Sequence, residues 1–213
     1  RLRKLADQVE SHGRRALIVP TDITDDAACE NLRDAALKEF GRVDVVYANA
    51  GFGADGRFED LSVDDVRRQF ETNVFGVLHT AWASLEALTR TRGVFAVVGS
   101  VAGYRGLPQS LAYGPTKAAL INLAETLYLD LHDKGIGVSI INPGFVETPL
   151  TARNQFTMPA LISPEQAATE IVKGWAQGRF EIHFPKRFTL WMKALQLLPY
   201  RLYFTVTRRF TNL

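Results

Sequence analysis

Five short apolar runs, at 16–20, 43–47, 94–98, 138–141 and 180–184, are separated by longer stretches of helical periodicity. The runs are mostly unalternating and rich in Val and Ile, as strands buried on both faces of a parallel sheet are. Helices are predicted near 25–40, 63–90, 111–134 and 164–177. Ser62 and Asp65 read as a capping box, and Ser163-Pro164-Glu165-Gln166 adds Pro at the first helical position. Strand–helix alternation of this kind predicts a three-layer α/β protein, a doubly wound, Rossmann-like parallel sheet. A chain of 213 residues is long enough for one such domain.

In sheets of this type ligands sit beyond the carboxyl ends of the strands. Asp22 follows the first run, Asn49-Ala50-Gly51 the second, Ser100 the third and Pro143-Gly144 the fourth. All are polar, small or turn-forming, and all are predicted on one rim. Tyr113 and Lys117 lie four residues apart in the 111–134 helix and so share a face. An ammonium there favours the phenolate, lowering a tyrosine pKa from about 10 toward the range of a neutral-pH acid or base. Asn73 stands deep in the 63–90 helix, where Asn is a poor helix former, and Gly76 follows one turn later. A distorted turn is expected there.

Composition narrows the function. The chain is 46% hydrophobic and 23% charged, in the ordinary globular range. Cys29 is the single cysteine, so no internal disulfide forms and a reducing compartment suits the chain. Its expected role is structural. His12, His79, His132 and His183 are scattered without ligand spacing, and no metal is expected. No apolar run reaches the roughly 18 residues of a spanning helix, and no signal peptide opens the chain. A cytoplasmic location is expected, with membrane-peripheral contact kept open. Charge is uneven: from Phe180 onward six basic residues oppose Glu181 alone, leaving that segment at +5 within a net +2. Residues 188–213 read as a basic amphipathic tail appended to a domain at 1–187. Trp191, Leu195, Leu198 and Leu202 recur at helical spacing, with Pro199 placed to break the run. The tail fits packing over a cleft or a partner subunit, and it fits an anionic membrane surface. Nucleic-acid binding is set aside, because a short basic run without a fold-level motif is ordinarily a solvated face.

On these residues the chain resembles the short-chain dehydrogenase/reductase family, in its roughly 250-residue type. The segments that carry the resemblance are Asp22-Ile23-Thr24-Asp25, Ala48-Asn49-Ala50-Gly51, Asn73-Val74-Phe75-Gly76, Gly99-Ser100-Val101-Ala102-Gly103, Tyr113-Gly114-Pro115-Thr116-Lys117 and the run Pro143 to Thr148. Order and spacing agree through 148, and more loosely through 185. The resemblance implies an NAD- or NADP-dependent oxidoreductase acting on a carbonyl or alcohol. Tyr113 would be its acid and base. Lys117 would tune that tyrosine and hold the nicotinamide ribose. Ser100 would hold the substrate oxygen, and the Asn73 carbonyl a proton-relaying water. Asp22 and Ile23 would flank the adenine, and Asn49, Ala50 and Gly51 would line the cofactor. Pro143, Gly144, Val146 and Thr148 would border the nicotinamide. A substrate wall at 101–107 and 145–161, with Phe145, Leu150, Phe156, Met158 and Leu161, leans apolar. Homodimers or homotetramers through the 63–90 and 111–134 helices are implied. A non-catalytic nucleotide-binding scaffold is the alternative, although such proteins commonly lose the tyrosine or lysine kept here.

The family's Gly-rich pyrophosphate loop and its first two strands have no counterpart in this sequence. In the family's strand order their absence would part the 16–20 and 43–47 strands by about 10 Å, two strand spacings. About 30–45 further N-terminal residues are therefore expected. A chain that truly began at Arg1 would be expected to fold poorly and to lack dehydrogenase activity. Arg1 and Arg3, just past the expected second strand, lean toward NADP.

Overall fold

In the computed structural model, which describes residues 2–53, 56–153 and 158–211, four parallel strands form one sheet. They are β1 (Val45–Ala48), β2 (Val94–Val98), β3 (Gly137–Pro143) and β4 (Glu181–Phe184), in spatial order β1-β2-β3-β4. Tyr47 stands opposite Ala96, Ala96 opposite Ser139, and Ile141 opposite Ile182. Among the described residues eight α-helices accompany them: α1 (Leu2–Ser11), α2 (Asp26–Phe40), α3 (Val63–Phe70), α4 (Gly76–Thr91), α5 (Tyr113–Asp130), α6 (Pro164–Ala176), α7 (Lys186–Gln196) and α8 (Tyr200–Thr211).

The layers follow from the two-residue period of a strand. Phe95, Val97, Val138 and Ile140 point to one face and pack with Leu88 of α4 and Leu120 and Ala124 of α5. Ala96, Ile141, Ile182 and Phe184 point to the other and pack with Ala167 of α6. Each fully buried Phe or Ile contributes about 1.5–3 kcal/mol over leaving it exposed. This is the expected α/β/α arrangement. A third cluster joins Val101 and Tyr104 to Met192, Leu195 and Tyr203, fixing the C-terminal helices to the loop beyond β2.

Local signals act as their chemistry dictates. Ser62 and Asp65 close a capping box at α3, and Ser163 and Gln166 another at α6 with Pro164 inside. Gly41 ends α2 in a left-handed conformation that favours glycine. Pro199 separates α7 from α8. Only part of the anticipated Trp191–Leu195–Leu198–Leu202 stripe faces inward. Leu195 is buried, but Trp191 and Leu202 are exposed, and Met192 and Tyr203 take the inner positions. The break at Pro199 resets the rotation of α8.

The expected strand at 16–20 does not form. Residues 14–22 lie in neither strand nor helix, and β1 is the sheet edge. A strand exists only through hydrogen bonds to a neighbour, and none of the described strands runs beside this segment. The expected 63–90 helix is also interrupted, at Glu71–Phe75, by a π-turn.

Candidate active site

Because the strands are parallel, the segments leaving β1, β2 and β3 emerge on one rim. Asn49, Ala50 and Gly51 leave β1 exposed, Ser100 leaves β2, and Pro143 ends β3.

Asn73 lies at the centre of the π-turn and is fully buried. Gly76 N donates to Glu71 O, one residue beyond α-helical reach, which is the distortion expected around this asparagine. The Asn73 side chain ties the helix to the loop after β1. Its Oδ1 accepts from Phe52 N at 3.0 Å, and its Nδ2 donates to Phe52 O at 2.8 Å and to Thr116 Oγ1 at 3.2 Å. A Cβ on Gly51 would stand 3.0 Å from Asn73 Oδ1 and 4.0 Å from Lys117 Nζ. A side chain here would crowd the Asn73 amide, and glycine lets the loop pass this close without that shift.

Tyr113 opens α5 half-buried, and Lys117 follows one turn later at 6% exposure. Lys117 Nζ donates to Val98 O at 2.8 Å and stands 5.5 Å from the Tyr113 ring centroid. Burial disfavours the ammonium and brings its pKa down to about 8. Thr116 Oγ1, between them in sequence, donates to Tyr113 O at 2.8 Å. Ser100 caps the one-turn 3₁₀-helix Val101–Gly103, its Oγ accepting from Ala102 N at 3.1 Å. A Cβ on Gly103 would fall 2.6 Å from the Lys117 backbone carbon, so the Ser100 turn rests directly on α5.

Asp22 and Ile23 lie before α2. Asp22 Oδ1 accepts from Thr24 N at 2.9 Å and Thr24 Oγ1 at 2.8 Å, which lowers the carboxyl pKa. Asp25 caps α2, its side chain accepting from Ala28 N. The Ile23 side chain occupies the space a Cβ on Gly76 would need, 2.5 Å away. Asp22, Thr24, Phe52, Arg68, Glu71 and Thr72 line a cleft of about 440 Å³.

Beyond β3, Gly144 N donates to Phe184 O at 2.8 Å, Val146 bridges to Ile162, and Thr148 N donates to Thr151 Oγ1 at 2.9 Å. The Phe145 and Phe188 rings lie 5.5 Å apart. Phe156 falls outside the described residues. Among the described residues no group of three or more His, Cys, Asp or Glu could hold a metal. Cys29 is buried in α2, with burial raising its thiol pKa.

A polar cluster behind Ser100 was not anticipated. Glu181 Oε1 accepts from Tyr104 Oη at 2.6 Å and Asn142 Nδ2 at 3.0 Å, while Oε2 pairs with Lys193. Burial works to raise the Glu181 carboxyl pKa, but these donors outweigh it and hold the pKa below its ordinary 4.5. Burial, then the acceptor Glu181, push the Tyr104 phenol up. The only signal in the sequence was Glu181 as the lone acid among basic neighbours.

Sheet order, layers and rim define a Rossmann-like α/β protein. Residues 1–158 match the family described as short chain dehydrogenase, and the chain belongs to that family, the short-chain dehydrogenases/reductases. An uncharacterized oxidoreductase of Myxococcus xanthus is 37% identical over 210 residues, covering 98% of this chain and 83% of the relative. A short-chain dehydrogenase/reductase of Burkholderia phymatum, solved in complex with NAD, is 26% identical with a TM-score of 0.82, over 90% of this chain and 79% of its own. An alcohol dehydrogenase of Thermococcus sibiricus, complexed with 5-hydroxy-NADP, is 28% identical with a TM-score of 0.76, over 86% and 80%. Membership of this family makes the chain an oxidoreductase.

Proposed function

We propose that the protein interconverts a carbonyl and an alcohol on an apolar small molecule with NAD or NADP, using Tyr113 as the proton donor and acceptor. The observation that carries this reading is the buried Lys117 ammonium, fixed to Val98 O and 5.5 Å from the Tyr113 ring. A charge held there favours the phenolate, so the proton on the Tyr113 oxygen can leave and return near neutral pH. Ser100 stands on a turn braced against the same helix and supplies a hydroxyl for a substrate oxygen. Asn73 holds the β1 loop against α5 and keeps Lys117 and the rim in register.

The residues present suit the two ends of a dinucleotide. The cleft beside Asp22 offers an aromatic face in Phe52 and a cation in Arg68. Asn49, Ala50 and Gly51 present exposed backbone, while Pro143, Gly144, Val146 and Thr148 would border the nicotinamide. The nicotinamide, when bound, supplies or takes the hydride. NADP is the preferred form in this reading, on the sequence argument from Arg1 and Arg3. The protein works in the cytoplasm and self-associates through α4 and α5, whose Trp82 and Leu129 are exposed.

The test is a panel of ketones and alcohols assayed with NADH and NADPH on the full-length protein, with Tyr113→Phe in that same protein as control. Turnover with an apolar substrate, abolished in Tyr113→Phe while cofactor binding persists, is expected. Undiminished turnover in Tyr113→Phe would overturn the assignment, and nucleotide binding without any turnover would make the protein a sensor or scaffold.

A further inference from the structure

Helices α7 and α8 leave an outer surface that the fold does not use. Their inner face closes on Val101 and Tyr104 through Met192, Leu195 and Tyr203. Outward, Leu197 is 85% exposed, Tyr200 71% and Phe210 72%, and Leu202 and Phe204 are more than half exposed. Tyr200 and Phe204 stack at 5.9 Å, and Arg208 continues that stripe one turn further along. Arg201 and Arg209 are exposed beside it. After Glu181 the chain contains no acidic residue, and Glu181 itself is paired with Lys193. A merely solvated helix face ordinarily mixes both signs of charge and few aromatics.

We propose that this face docks the protein on an anionic lipid surface, with α8 lying in the headgroup plane. Arg201 and Arg208 meeting lipid phosphates, with Tyr200 and Phe204 dipping on one side of them and Leu202 on the other, use both halves of the surface. A nucleic acid would engage the cations but leave Leu202 and Phe204 in water. A second copy would bring two cationic faces together without counter-charge. No helix among the described residues is long and apolar enough to cross a membrane, so the contact is peripheral. The docked element is rigidly joined to the body. The Arg105 guanidinium lies over the Tyr203 and Tyr200 rings, at 4.2 and 4.8 Å, and donates to the carbonyls of Leu195, Gln196 and Leu198. Lipid docking would therefore orient the whole molecule, with the cleft of about 540 Å³ between Tyr104 and Tyr200 beside the bilayer. This inference does not depend on the hydride-transfer reading.

The test is sedimentation of the full chain with vesicles of phosphatidylcholine alone or with about one quarter phosphatidylglycerol. Binding to the anionic vesicles only, reversed by high salt, is expected. Arg201→Glu/Arg208→Glu/Arg209→Glu is expected to weaken partitioning by at least about 100-fold. Leu202→Ser/Phe204→Ser is expected to abolish it, with circular dichroism unchanged in both variants. A short DNA duplex is titrated in parallel. Absence of lipid binding, equal binding to both vesicles, or DNA binding that rivals lipid and survives Leu202→Ser/Phe204→Ser would each overturn the proposal. If either variant misfolds, the salt dependence of the unaltered protein decides, and salt-insensitive binding overturns it.

Discussion

Lys117 shows how a single residue is held against its own stability. Its ammonium is buried at 6% exposure, donating to Val98 O, and that burial depresses its pKa from 10.5 to about 8. A cation whose folded pKa lies below its unfolded one penalises the native state wherever it is charged. The penalty is complete below pH 8 and fades between 8 and 10.5. Lys117→Met is accordingly expected to raise stability by about 1–2 kcal/mol at pH 7, after allowing for the hydrogen bond lost at Val98, while removing catalysis. Thermal melts and initial rates of the pair of proteins check both halves. The same shift sets a pH limit. In carbonyl reduction the rate is expected to fall above pH about 8 as Lys117 loses its proton, and a rate still rising at pH 9.5 would exclude the ammonium from the step. The pairing of Tyr113 with Lys117 was legible because helical spacing fixes which residues share a face. The anchoring of Asn73 to Phe52 and Thr116 was not, since those partners lie 21 and 43 residues away and only the fold brings them together.

At the scale of elements, the site depends on how closely segments approach. The Ser100 turn meets α5 where a Cβ on Gly103 would lie 2.6 Å from the Lys117 backbone. Gly103→Ala is expected to push turn and helix apart, costing about 1–3 kcal/mol and raising KM or lowering kcat more than a distant surface change does. Melting temperatures and steady-state kinetics measure it. The tail is pinned by Glu181, whose carboxyl receives Tyr104, Asn142 and Lys193. Its pKa is lowered, so its stabilisation is present above the ordinary value of 4.5 and is lost as pH falls through the folded value. Glu181→Gln is expected to cost about 1.5–3 kcal/mol at neutral pH and to speed proteolysis within 186–211 before the sheet is attacked. Elements were mostly readable from periodicity and caps. The 16–20 run misled because its Val and Ile content records burial propensity, whereas a strand also needs a neighbour.

At the scale of the whole sheet, the two edges formed by the described residues differ. β4 is covered by α6 and α7, and its Ile182 and Phe184 are buried. β1 is the opposite edge, with Val45 and Tyr47 exposed and no described strand beyond it. An apolar edge with unpaired backbone groups is a template for another chain. For a preparation consisting of these 213 residues alone, concentration-dependent association through β1 is therefore expected, separate from any assembly through α4 and α5. Val45→Lys places a charge on that edge where it pairs with Val94 on one side only, so it removes little packing while opposing strand addition. It is expected to lower light scattering and the high-mass fraction in gel filtration, with circular dichroism unchanged. Trp82→Ser on α4 should weaken only the defined dimer or tetramer and leave the larger, light-scattering species as they were. The reverse pattern, scattering relieved by Trp82→Ser and untouched by Val45→Lys, would assign association to the helical face and free the β1 edge of any role in it.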